Sequence, residues 1–286
     1  MTVAVITDSA SSLPQADLDR LQIGVVTLYV NEDGHSVPET DIDLPVFYGR
    51  LPEMRILPTT SQPSPGDFAE AFGPIVDRGD DVLAVLISAK MSSTFHAAEM
   101  GAASTRERHP GARISLVDSE STAMQEGFAV LAAAECAAGG GDLVECEVAA
   151  RATVSRTRFL FAPASLEYLS RGGRISKAAR LLGSVLRIVP ILTATDGATG
   201  VAGTVRTHAR ALARMATLMA ADIDRCGFRR AVVQTVADDE GATRFASEII
   251  EPLAGSSVPV VPVGVVVGIH VGPAIGVAYE TLDPIR

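Results

Sequence analysis

The chain has 286 residues, 47% of them hydrophobic, and a formal net charge of −10. That apolar content supports a sizeable core and excludes global disorder, and the length fits two ordinary domains or one large α/β unit. The acidic balance, the four Tyr and the absence of Trp argue against nucleic-acid binding, which needs a basic footprint with stacking aromatics.

From the N-terminus, Val3–Ile6 reads as a short strand, and Ser12-Leu13-Pro14-Gln15 as a capping box with proline in the first helical turn. Gly24–Val30 reads as a second strand, closed by the turn residues Asn31 to Gly34. Ser64-Pro65-Gly66-Asp67 opens a helix to about Asp77. Asp81–Ile87 reads as a strand with a continuous apolar run, as expected of a sheet buried on both faces. A helix from about Ser93 to Arg108 follows, then a strand at Ile114–Val117. An Ala-rich helix is capped at Thr122 to Gln125 and stopped by Gly139-Gly140-Gly141. This βαβ rhythm predicts a mostly parallel, doubly wound sheet.

Beyond it the pattern changes. Asp142–Arg158 predicts a helix with Asp142 and Glu145 in capping-box positions, followed by Phe159–Phe161 and a short helix near Ser165–Ser170. Arg187–Thr195 and Gly200–Val205 read as two strands joined by a hairpin at Asp196-Gly197. A helix at Thr207–Ile223, a strand at Arg230–Val236, a helix at Asp239–Leu253 and strands at Val258–Val267 and Ile275–Glu280 complete the chain. The expected architecture is α/β with two domains. Residues 1–157 form the parallel-sheet domain, and residues 158–286 form a second α/β domain with a mixed sheet.

Several chemistries find no support. There is no G-x-G-x-x-G, no P-loop and no G-x-S-x-G elbow. The five histidines lack metal-ligand spacing, and three cysteines without C-x-x-C spacing argue against a zinc site or disulfide framework. The first apolar run has no basic region before it and stops at Asp8. The longest, Val258 to Ile269, is short and broken by prolines and glycines. A cytoplasmic location is therefore expected.

Polar residues gather where such a sheet binds ligands, beyond the carboxyl ends of its strands. Asp8 to Ser12, Ser88 to Ser93 and Asp118-Ser119 each follow a strand, although each also suits a helix cap. Thr59-Thr60-Ser61-Gln62-Pro63-Ser64-Pro65 presents hydroxyls before a helix start, where amide donors suit an anion. Arg171, Arg174, Lys177 and Arg180 recur every third residue around Gly172-Gly173, glycines that permit close backbone approach. One arginine suffices for a carboxylate or phosphate, and the others suit a docking face toward a partner or an anionic bilayer. His270 precedes Gly272-Pro273 in a defined turn.

Taken in order, these motifs resemble the DegV family, the fatty-acid-binding subunits of bacterial fatty acid kinase. The likeness runs over nearly the whole chain. It rests on Thr7-Asp8-Ser9, Thr60-Ser61-Gln62-Pro63-Ser64, Met91-Ser92-Ser93-Thr94-Phe95, Leu166 to Leu169 with Gly172-Gly173-Arg174-Ile175, Gly183-Ser184 with Pro190-Ile191-Leu192, and His270 with Gly272-Pro273. The resemblance implies a long-chain fatty acid in a buried tunnel between two domains. It places the carboxylate on Thr60, Ser61 and Ser92, with Ser93 beside them and Arg174 and His270 at the same end. It implies no catalysis by this chain and no cofactor. An ATP-using kinase subunit phosphorylates the bound carboxylate, and transient membrane contact accompanies lipid exchange. Ser93 and Ala274 stand where the family usually has glycine. The competing readings are a serine hydrolase or acyltransferase using Ser92 and His270, and a module for a small polar ligand.

Overall fold

The computed structural model describes residues 2–181 and 188–285, so Gly183-Ser184 and Arg187 lie outside the described residues. The chain divides into two compact units. One comprises the residues up to Asp41 together with Thr60–Val154; the other comprises Ile42–Thr59 together with Ser155–Arg286. Residues 42–59, expected in the N-terminal domain, therefore belong with the C-terminal part, and the second junction lies between Val154 and Ser155.

The first unit holds β1 (Val3–Asp8), β2 (Gly24–Val26), β3 (Tyr29–Glu32), β4 (His35–Pro38), β5 (Thr59–Ser61, from Thr60 on), β6 (Asp81–Leu86) and β7 (Ile114–Asp118). Its main sheet has the order β2-β1-β6-β7 and is parallel throughout. Every residue of β6 is buried, as its unbroken apolar run requires of a central strand. The helices Pro65–Asp77 and Thr94–Arg108 pack on each other, with Phe68 and Phe72 of the first and Ala98 and Ala102 of the second in one core with Val82, Ala84 and Leu86. They approach closely at Gly101, where a Cβ would lie 2.6 Å from Phe68 Cβ and 2.8 Å from Pro65 O. The helix starts at Ser64 as expected, and a capping box closes it there, Asp67 N–H donating to Ser64 Oγ at 3.1 Å and Ser64 N–H to Asp67 Oδ2 at 2.8 Å.

Two local expectations in this unit fail for identifiable reasons. Ser12 caps no helix. The Asp8 carboxylate accepts the Ala10 N–H and sets up a 3-10 turn, Ser9–Ser11, that Ser12 ends with φ 52°, and the helix begins at Gln15 behind Pro14. Gly24–Val30 is not one strand either. Leu28 sends its N–H to Ser9 Oγ and takes the Glu39 N–H on its carbonyl, which breaks the ladder. The chain then restarts as β3 and turns at Asp33-Gly34 into an antiparallel hairpin with β4.

The second unit holds β8 (Thr157–Pro163), β9 (Val189–Thr195), β10 (Ala198–Val205), β11 (Arg230–Val236), β12 (Val260–Pro262) and β13 (Ala274–Glu280). These form one mixed sheet in the order β10-β9-β8-β13-β11-β12, in which only the pair β11 and β12 is parallel. The β9–β10 hairpin turns at Asp196 and Gly197, both with positive φ, as Asp-Gly predicts. The helix His208–Cys226, capped by Thr207, buries Ala211, Met215 and Met219 against one sheet face, a spacing of four residues that defines its apolar stripe.

The expected strand Val258–Val267 is the clearest miss. Pro262 ends β12, and Gly264 opens a helix, Val265–Val271. Three consecutive valines favour a strand by propensity, but Val265, Val266 and Val267 are all buried in the helix, and burial outweighs a propensity difference of a few tenths of a kcal/mol. His270 thus lies in the last turn of a helix rather than in a loop between strands. Residues 42–59 are fastened to this helix from below. Phe47, Tyr48 and Leu51 are buried, and Tyr48 Oη donates to the carbonyls of Val263 at 2.6 Å and Gly264 at 3.0 Å. Gly268 leaves the space that the Tyr48 ring fills.

Among the described residues no helix is long and apolar enough to cross a membrane. Cys136, Cys146 and Cys226 are free thiols.

Candidate functional site

In the first unit, β1, β6 and β7 lie side by side, so the polar residues after them share one sheet edge. Most of these groups hold the loops that carry them. Asp8 is fully buried and accepts two amides, Ala10 N–H at 2.9 Å and Ile87 N–H at 2.8 Å, tying the β1 loop to the β6 loop. Burial lifts its carboxyl to about 7 despite those two donors, and the charge of Glu39 adds to the rise. Glu126 is also fully buried. Burial first, then the charge of Asp8, push its carboxyl well above the usual range, against the Thr7 hydroxyl that donates to it at 3.4 Å. Asp118 accepts the amides of Glu120 at 2.7 Å and Ala89 at 3.3 Å.

Ser92 and Ser93 follow β6. Ser92 Oγ lies 2.8 Å from Thr94 Oγ1 and accepts the Thr94 N–H at 3.2 Å, at the mouth of the helix Thr94–Arg108. Ser93 is exposed with φ −78°, a conformation open to any residue, so replacing the family's usual glycine here costs no backbone strain. Thr60 and Ser61 sit half-buried on β5, where Ser61 Oγ accepts Asn31 Nδ2–H at 3.3 Å from β3. Ser64 is taken up entirely by its capping box.

In the second unit, Arg174 and His270 come together. The Gly-Gly pair explains how. Gly172 lies against the imidazole so tightly that a Cβ there would overlap His270 Nδ1, and Gly173 takes φ +74° to turn the chain. Gly272, with φ +68°, faces the Tyr168 ring in the same way. Arg174 Nη1 donates to Gly172 O at 2.6 Å. The end of a helix favours a protonated histidine by its dipole, yet here burial and then the Arg174 charge win and pull the His270 pKa down to about 4. The imidazole is therefore neutral at physiological pH. Ala274, the second departure from the family pattern, is the buried first residue of β13 and needs no positive φ.

Beside the pair is a cavity of about 360 Å³. Residues 55–59 line it together with Arg171, Gly172, Arg174, Ile269 and His270. Arg171 makes an ion pair with Glu167 at 2.5 Å and Lys177 one with Asp196 at 3.4 Å, both on the surface. Arg55 was not legible as a site residue, because a single Arg in a loop carries no spacing or motif. Its position follows only from the folding of residues 42–59 onto this unit.

The family model described as an uncharacterised protein of the DegV family matches residues 2–282. The chain belongs to the DegV family. A DegV domain-containing protein of Clostridium acetobutylicum is 38% identical over 287 aligned residues, covering 100% of both chains. Among solved structures, a DegV family protein from Thermus thermophilus described as binding fatty acid is 32% identical with a TM-score of 0.88, covering 98% of this chain and 100% of that one. DegV from Bacillus subtilis, described as a fatty acid binding protein, is 26% identical with a TM-score of 0.86, covering 98% and 99%. The α/β architecture of this DegV chain, with one parallel and one mixed sheet, is therefore that of its family.

Proposed function

We propose that this DegV protein is a carrier that holds one long-chain fatty acid and presents its carboxylate to a separate ATP-using kinase. The kinase transfers the γ-phosphoryl group to a carboxylate oxygen, giving acyl phosphate and ADP. The observation that carries the reading is the full-length likeness to a DegV protein that binds fatty acid, at 32% identity. The Arg174–His270 pair beside a cavity supports it, because a fixed guanidinium next to a neutral imidazole suits a carboxylate. Thr60, Ser61, Ser92 and Ser93 in the first unit and Arg174 and His270 in the second are the proposed head-group ligands. Burying about 15 methylenes at roughly 0.8 kcal/mol each gives about 12 kcal/mol gross, which exceeds association costs of several kcal/mol.

A serine hydrolase gains no support from these residues. The Ser92 hydroxyl is engaged with the Thr94 hydroxyl and amide, and the charged group that acts on His270 is the cation Arg174 rather than the carboxylate that orients a catalytic imidazole. Mass spectrometry of organic extracts of the purified protein tests the reading: a free fatty acid in about equimolar amount, with no acyl-serine, is expected. Protein that is empty and takes up no added fatty acid overturns it. With the kinase present, Ser92→Ala and Thr60→Ala lower acyl-phosphate production more than fatty acid affinity, since the chain supplies most of the binding and the hydroxyls position the head group.

A further inference from the structure

We propose that Arg55 is the residue of the second unit's cavity that distinguishes the doubly charged phosphoryl head of the product from the carboxylate of the free fatty acid. This rests on the fatty-acid reading above and extends it to the phosphorylated ligand. In a chain of net charge −10, the cavity lining carries three arginines, Arg55, Arg171 and Arg174, and among the described residues no acidic one, with Glu167 reaching it only as the ion-pair partner of Arg171. A carboxylate is matched by one guanidinium, in a planar, two-point contact. Cations supplied by separate segments of one cavity lining suit a tetrahedral dianion, whose oxygens point in several directions.

The three arginines differ in what already holds them. Arg174 is tied to Gly172 O, and Arg171 to Glu167. Arg55 is exposed and has no ion pair or hydrogen bond among the described residues. It is nevertheless well placed. Pro52 and Pro58 restrict the backbone on either side, and Phe47, Tyr48 and Leu51 fix the segment to the unit. Arg174 answers the charge that a fatty acid and its phosphorylated form share, and Arg55 answers the charge that only the second has. His270, being neutral, contributes hydrogen bonding at this wall without adding charge.

The test is competitive displacement of a fluorescent fatty acid by palmitate and by hexadecylphosphonate, above the second ionisation of the phosphonate, for wild type, Arg55→Gln and Arg55→Lys. Arg55→Gln is expected to weaken the phosphonate about tenfold, the loss of one charge-assisted contact, and palmitate by less than about twofold. Arg55→Lys keeps the charge and is expected to recover most of the phosphonate affinity. Equal losses for the two ligands, or wild-type binding of palmitate without the phosphonate, overturn the inference and leave the fatty-acid reading standing. Displacement of the phosphonate by inorganic phosphate at similar concentration makes this a free-anion site and overturns the acyl-head assignment. Wild-type protein that binds neither amphiphile removes the fatty-acid reading, and this inference with it.

Discussion

The polar edge of the first unit and the Arg174–His270 corner of the second are built by opposite means. In the first, side chains hold backbone: the Asp8 carboxylate takes the amides of Ala10 and Ile87, Asp118 those of Ala89 and Glu120, and Ser92 that of Thr94. In the second, backbone makes room for side chains: Gly172, Gly268 and Gly272 lack the Cβ that would strike His270, Tyr48 and Tyr168. The difference teaches where each region is vulnerable. The first fails when an acceptor is removed, the second when an atom is added.

Gly272→Ala is the harshest test of that contrast. It forces a Cβ into φ +68° and into the Tyr168 ring, and a loss of about 3 kcal/mol is expected in urea unfolding. Asp8→Ala leaves two buried amides without an acceptor and should cost about 2–3 kcal/mol by the same measurement, with Asp8→Asn milder because one acceptor survives.

The two units should also answer pH in opposite senses. The folded pKa of Asp8 is raised from 3.8 to about 7, so the folded state keeps a proton that the unfolded chain has lost, and stability falls as pH rises through that window. The folded pKa of His270 is lowered from 6.5 to about 4, so its contribution is present above 6.5 and is lost as pH falls toward 4. Unfolding midpoints measured across this range should lose their near-neutral decline in Asp8→Asn and their acid-side decline in His270→Gln. The same slope in both variants would erase the distinction. The smallest effect is reserved for Arg171→Ala, which removes an exposed ion pair with Glu167 and should cost less than about 0.5 kcal/mol.

Much of this was legible in the sequence, and the exceptions have physical causes. The βαβ rhythm gave the parallel sheet because its central strand carries an unbroken apolar run, Val82–Leu86, and the helix before it a start signal, Ser64. Local pattern failed where a distant partner decided the outcome. Leu28 breaks its strand because Ser9 and Glu39 take its backbone groups, and the Val265–Val271 helix exists because burial overrides valine propensity. The Gly-Gly pair correctly announced a close approach, but only the structure shows that His270 is what approaches. Arg55 was invisible for the same reason that residues 42–59 were misassigned: nothing in their composition says that they fold onto a unit that begins again at Ser155.

That detour has a consequence during synthesis. The hydroxyl of Tyr48 bonds to carbonyls 215 and 216 residues further along the chain. At about 5–20 residues per second, Phe47, Tyr48 and Leu51 leave the ribosome roughly 10–40 seconds before their partners exist. Residues 60–154 can meanwhile close around residues up to 41, leaving the intervening stretch as an apolar loop open to chaperones. The second unit, with the wall that carries Arg55, is completed only when the last part of the chain emerges and captures a segment made near the start.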